Sequence, residues 1–211
     1  LEFRRVLFRS LNVTTSADNG DITILDTAGS LPVGTINAGS GAVVLTGTGA
    51  ILDATSDTTT DITAASLSLT AGTGIGDGAT LETVVNTLAA TTGSGDIYVT
   101  NTGALAIGLI GAVNGISITG GGITDHIFIL AGSPLTVAAP VSDAGGGNIT
   151  LVADGVTAAD DLTINNTVTA SGGNGNIYLY AGDDIAHNGF AITAAGSGDI
   201  NYYAGVDYNG G

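Results

Sequence analysis

Short apolar runs of period two, each introduced by a glycine and a turn residue, recur along the chain. They are Gly20-Asp21-Ile22-Thr23-Ile24, Gly41-Ala42-Val43-Val44-Leu45, Gly95-Asp96-Ile97-Tyr98-Val99, Gly147-Asn148-Ile149-Thr150-Leu151, Gly175-Asn176-Ile177-Tyr178-Leu179 and Gly198-Asp199-Ile200-Asn201-Tyr202. Alternation sends the outer two apolar residues to one face of a strand and the residue between them to the other. The glycines are spaced 21, 54, 52, 28 and 23 residues apart. The two long intervals are close to double the short ones, so each has room for a degenerate copy, such as Ser66-Leu67-Ser68-Leu69 in the first. The period of 20–30 residues is that of a solenoid coil. Further three-residue strands are expected at Leu105-Ala106-Ile107, Ile116-Ser117-Ile118, Ile127-Phe128-Ile129 and Leu162-Thr163-Ile164. Helical spacing occurs in one stretch, Leu81, Val84/Val85 and Leu88. Its β-branched neighbours Thr83 and Thr87, with the two valines, favour extended chain, so strand is expected there.

Strands of three to five residues are too short for a sandwich of two broad sheets. Wound as a parallel β-helix, they pair with the coils above and below at ~4.8 Å and bury their apolar faces along a common axis. The expected fold is therefore all-β, a parallel solenoid of roughly eight coils and roughly 40 Å, at about 25 residues per coil. The block Gly72–Gly108 resembles repeats of large bacterial surface exoproteins of the filamentous-haemagglutinin type. Gly74, Ile75, Gly76, Leu81, Thr83, Val85, Leu88 and Ala90 fit the first half of that repeat pattern, and Gly95, Ile97, Asn101, Gly103, Leu105, Ile107 and Gly108 fit the second. The resemblance implies a right-handed parallel β-helix, secretion or display at the bacterial surface, and a role in adhesion.

The first ten residues, LEFRRVLFRS, stand apart. They hold all three basic residues (Arg4, Arg5 and Arg9) and are similar along their whole length to the translation of a short-read sequencing adapter. They are treated as a non-native segment in place of a basic N-terminal arm, and residues 11–211 as a β-helix fragment of a larger protein.

Composition narrows the function. The chain carries a formal charge of −16 and no Cys. Residues 11–211 contain 18 acids and neither Lys nor Arg, since Glu2 and the three arginines precede them. This charge is unfavourable to nucleic-acid partners, and no apolar run reaches the ~18 residues of a membrane helix. Disulfides and thiolate metal sites are excluded. The exoprotein resemblance implies neighbouring repeats of the same chain, and host or matrix glycans, as partners. Catalysis is not expected. The carboxylate pairs are Asp160/Asp161 and Asp183/Asp184, and adjacent residues in a strand face opposite ways. His187 follows Asp183 by four, a metal-like spacing without evident further ligands, and His126 stands alone. Gly172-Gly173-Asn174-Gly175-Asn176 begins like a calcium β-roll repeat, but Ile177 replaces the ligating aspartate. No cofactor is expected beyond weak calcium contacts at the turn aspartates Asp21, Asp96 and Asp199, which otherwise serve as turn formers. Tyr178, Tyr180, Tyr202, Tyr203 and Tyr208 suit a solvent-facing tyrosine ladder or a sugar-stacking face. An alternative to the adhesin shaft is a carbohydrate- or ice-binding solenoid, and a glycan-cleaving β-helix is a more distant one. Ice binding asks for aligned threonines on one flat face, whereas Thr46/Thr48 and Thr167/Thr169 look isolated in the sequence.

Overall fold

The computed structural model describes residues 10–155 and 157–208. Apart from Ser10, the adapter-like segment lies outside them. The described chain forms 24 strands and winds as a parallel β-solenoid of about eight turns. One sheet stacks Leu11–Thr14, Leu31–Asn37, Ile62–Thr63, Leu81–Val84, Ile97–Asn101, Ile127–Ala131, Ile149–Ala153, Ile177–Ala181 and Ile200–Ala204, with Ile51–Asp53 beside them on Leu31–Asn37. The second sheet begins with Ile22–Asp26, Ala42–Gly47, Ser66–Ala71 and Thr87–Thr92. The stretch with helical spacing is two strands, Leu81–Val84 and Thr87–Thr92.

The core follows from the two-residue period. Leu31, Ile51, Ile75, Ile97, Ile127, Ile149, Ile177 and Ile200 stack in one column, each on the residue one coil below. All but Ile200 are buried. A second inward column runs Val43, Leu67, Leu88, Ile107, Val137 and Ile164, and a third runs Leu45, Leu69, Ala90, Ile116, Val141 and Val168. Each buried aliphatic side chain contributes about 1.5–3 kcal/mol of transfer free energy. That repeated gain offsets the entropy of ordering a Gly-rich backbone.

From Ile97–Asn101 upward, the turn before each strand of the first sheet carries a polar counterpart to these columns. Asp96 Oδ1 accepts from His126 N at 2.6 Å, and His126 Nδ1 accepts from Asn148 N at 2.9 Å. Asn148 Oδ1 accepts from Asn176 N, and Asn176 Oδ1 from Asp199 N, both at 2.8 Å. Every side chain thus satisfies a backbone N–H one coil above, where no strand partner is available. The preceding glycines stack as well. A Cβ on Gly175 would meet the carbonyl oxygen of Gly147, and one on Gly198 that of Gly175. Together these contacts account for the Gly-[Asp/Asn]-Ile signature: close backbone approach, coil-to-coil acceptor, inward apolar residue.

Three features depart from the simple repeat. The six glycine-led units do not form one column, because those at Gly20 and Gly41 lie on the second sheet and the other four on the first. The same turn chemistry serves both corners; Asp21 Oδ1 accepts from Ala42 N at 2.7 Å. The hidden copies exist: Ser66–Ala71 stacks on Ala42–Gly47, and Ile127–Ala131 fills the second long interval. The second sheet then divides. Thr87 and Leu88 pair with Ala106 and Ile107, while Ala90–Thr92 pair with Ile116–Ile118. From there each coil gives this sheet two short strands, continuing through Leu135–Val137 and Val141–Asp143, then Leu162–Ile164 and Val168–Ala170, then Ile185–His187 and Ile192–Ala194. At the division the chain leaves the sheet as an antiparallel hairpin of Leu109–Ile110 and Val113–Asn114. The hairpin packs on Ser66–Ala71 and Thr87–Thr92, whose outward residues Ser68 and Ala89 are buried.

Candidate functional site

The seven-residue strand Leu31–Asn37 meets two short strands on its upper edge. Val33 pairs with Asp53, and Ile36 with Ile62. Between them residues 54–60 leave the sheet, so Asp53 and Asp61 mark the exit and re-entry of one excursion. Glu82 lies one coil above Asp61. Asp61 N donates to Glu82 O at 2.9 Å, and Glu82 N donates to Asp61 Oδ2 at 3.0 Å. One oxygen from each of Asp53, Asp61 and Glu82 lies within 4.8 Å of the other two. Asp53 is 7% exposed and Asp61 2%. Thr55 donates to Asp53 Oδ1 from its N–H at 2.8 Å and its hydroxyl at 2.9 Å. No protein donor hydrogen-bonds Asp53 Oδ2 or Glu82 Oε2, although both are buried, and the Asp61 and Glu82 carboxyls interact side chain to side chain.

A buried carboxyl beside another carboxylate resists ionisation. Burial pushes the Asp61 carboxyl up to about 7, with the charges of Asp53 and Glu82 adding to the effect against the Glu82 N–H bond. Burial also raises Glu82. Asp143 is raised too, chiefly by burial, against hydrogen bonds from the N–H groups of Gly145, Gly146 and Gly147. A carboxyl whose folded pKa lies above its unfolded value favours folding most when protonated. Stability therefore falls as pH rises from the ordinary carboxylate range through about 7. In EDTA, the melting temperature followed by circular dichroism is expected to rise by a few degrees from pH 8 to pH 5, on the order of 1–3 kcal/mol. Asp61→Asn is expected to flatten the profile; an unchanged slope in that variant would locate the titration elsewhere.

The residues singled out in the sequence are dispersed. Asp96 and Asp199 belong to the polar turn file four coils apart, and Asp21 lies at the other corner, so the three do not form one site. Asp160 is buried, with its Oδ2 accepting from Thr157 N. Asp161, Asp183 and Asp184 form a second, more open carboxylate group, which includes neither histidine. His126 is engaged in the turn file, while His187 contacts Phe190 O and the Tyr202 hydroxyl. Two surface grooves, one lined by Asn12, Val13, Thr14 and Thr35 and the other by Asn86, Ala104, Leu105, Ala106, Pro134 and Thr136, contain no carboxylate.

Asn101 and Gly103, part of the exoprotein-like pattern, have a structural task. Asn101 is buried; its Oδ1 accepts from Thr83 Oγ1 at 3.0 Å and Val85 N at 2.8 Å, and its Nδ2 lies within 3.2–3.3 Å of three turn carbonyls. Three of the five tyrosines singled out in the sequence contact one another, while Tyr202 stacks on His187 and the Tyr178 hydroxyl accepts from Asn176 Nδ2. Tyr180 and Tyr203 stack at 4.6 Å and 10°, and Tyr208 packs against Tyr180 and Phe128. Of the threonines that look isolated in the sequence, Thr46 and Thr169 prove to be aligned, while Thr48 and Thr167 lie outside the strands. Thr46, Thr70, Thr91, Ser117, Ser142, Thr169 and Thr193 form a single outward file, with Thr91 and Ser117 hydrogen-bonded at 2.8 Å. Coil-to-coil register, invisible in local spacing, brings them together. The buried acid group had one local signal: Asp53 shares strand parity with the inward Ile51.

No family model, no curated protein and no solved structure matches the chain.

Proposed function

We propose that residues 11–211 form a non-catalytic shaft segment of a secreted or surface-displayed bacterial adhesin of the filamentous-haemagglutinin type. The observation that carries this reading is the continuous apolar column from Leu31 to Ile200, reinforced by the polar file at the turns. Such stacking holds one cross-section over many coils, which suits a spacer that carries a binding surface away from its anchor. The net charge of −16 disfavours lateral association and nucleic-acid partners. Its partners on this reading are neighbouring coils of the same protein and glycans of a host or matrix, with no insertion into a membrane. Recovery of the surrounding reading frame tests it: further coils and a secretion signal are expected, and a frame encoding a polysaccharide lyase or hydrolase would overturn it.

The hydroxyl file supports a second reading, a carbohydrate- or ice-binding solenoid. The parallel outward file Ser66, Thr87, Ala106, Thr136 and Thr163 is interrupted by an alanine, and the hairpin occupies the outer surface between the two at Ser68 and Ala89. Thermal hysteresis in the purified chain, lost in Ser142→Val, would favour this reading over the shaft.

A further inference from the structure

We propose that Asp53, Asp61 and Glu82 bind one calcium-class divalent cation at the mouth of the 54–60 excursion. Geometry is the first support. Ligand oxygens ~2.4 Å from a single Ca²⁺ lie no more than ~4.8 Å apart, and the three carboxylate oxygens lie within 4.8 Å of one another. The second support is independent of the clustering. Asp53 is more than nine-tenths buried, yet its Oδ2 has no protein partner. Glu82 Oε2 in the same group is likewise buried and accepts from no protein donor, its carboxyl having only the Asp61 carboxyl beside it. Buried carboxylate oxygens are costly unless a hydrogen bond or a cation satisfies them. No Lys or Arg occurs after residue 10 to serve as a counter-ion.

The donor set selects the class of ion. Three carboxylates offer hard, anionic oxygen and neither nitrogen nor sulfur, which suits Ca²⁺ or Mg²⁺ over zinc or copper. Calcium is favoured because it accepts six to eight oxygens in adaptable geometry, while magnesium retains several waters in a near-ideal octahedron. Asp57 and the threonines of the excursion supply further oxygen close by in sequence. A bound ion would fasten the exit and re-entry of the excursion to the coil above, through Glu82. The site differs from the turn aspartates Asp21 and Asp96, whose Oδ1 atoms accept backbone N–H groups of the next coil. It differs also from the Asp161, Asp183 and Asp184 group, which has no buried unpaired oxygen. The inference does not depend on the adhesin reading.

The test is calorimetric titration of the metal-stripped chain with CaCl₂ and, separately, MgCl₂ at pH 8. The expected result is one Ca²⁺ per chain with a dissociation constant at or below the millimolar range of extracellular calcium modules, weaker Mg²⁺ binding, and a melting temperature several degrees higher with Ca²⁺ than in EDTA. Asp53→Asn is expected to weaken Ca²⁺ binding at least tenfold, with its β-sheet circular dichroism in EDTA unchanged. The triple variant Asp161→Asn, Asp183→Asn, Asp184→Asn is expected to bind as the parent does. Absence of saturable binding, equal affinity in Asp53→Asn, or loss of binding in the triple variant would each overturn the proposal. If Asp53→Asn fails to fold, Glu82→Gln is titrated in its place under the same criteria.

Discussion

Ile149→Asp is expected to destroy cooperative folding of the middle coils, while Thr150→Asp one residue on is expected to change stability by less than about 1 kcal/mol. Ile149 is fully buried in the column between Ile127 and Ile177. Truncating such a side chain costs about 2–5 kcal/mol through lost transfer energy and residual cavity. An aspartate adds an unpaired charge in a core whose described residues offer no cation, at several kcal/mol more. Thr150 belongs to the outward file with Phe128 and Tyr178, where water solvates a carboxylate. The comparison is read by urea unfolding and by hydrogen exchange of the strands at Ile127–Ala131 and Ile177–Ala181. Solenoid coils support only their neighbours, so protection should fall most in those adjoining strands and least at Ala42–Gly47. Equal losses in the two variants would contradict the assigned strand parity.

The second large effect comes from a single methyl group. Gly175→Ala is expected to cost more than about 2 kcal/mol, since the new Cβ would be driven into the Gly147 carbonyl of the coil below. Two rigid backbones meet there, and neither can rotate away as a side chain would. Gly103→Ala separates this effect from dihedral strain. Gly103 has φ +85° but nothing within 4 Å of an added Cβ, so its cost is limited to the left-handed backbone, about 1–2 kcal/mol. Midpoints of urea unfolding rank the two. A Gly175→Ala protein as stable as the parent would mean that the coils are spaced more loosely than the stacking of Gly147, Gly175 and Gly198 requires.

The inward columns were legible because they depend on a local rule. A period of two and a glycine before the strand suffice to turn Ile97, Ile149 and Ile177 inward, but not to show that Ile22 and Val43, led by the same unit, belong to the other sheet. The features that escaped depend on which coil meets which. Thr46 and Thr169 are far apart in the chain yet share one file, because intervening coils of unequal length bring them into register. The division of the second sheet has no local marker either. Leu105-Ala106-Ile107 and Ile116-Ser117-Ile118 are each legible as strands, but that both lie on the one strand Thr87–Thr92 emerges only from the pairing of Ala106 and Ser117 with it. The acid group combines the two difficulties. Asp53 carries a parity signal, but its proximity to Glu82 arises from an excursion whose closure the sequence does not announce.

Parallel stacking at one strand spacing per coil is the central claim, and the cysteine-free sequence makes it directly measurable. Spin labels are placed on Thr46→Cys paired with Ser142→Cys, and on Thr46→Cys paired with Thr193→Cys. The register sets Ser142 four coils and Thr193 six coils above Thr46. At ~4.8 Å per coil, the backbone separations are ~19 Å and ~29 Å. Double electron–electron resonance should therefore give two narrow distributions whose centres differ by about 10 Å. Coincident centres, or a shorter distance for the Thr193 pair, would contradict the solenoid and with it the shaft reading.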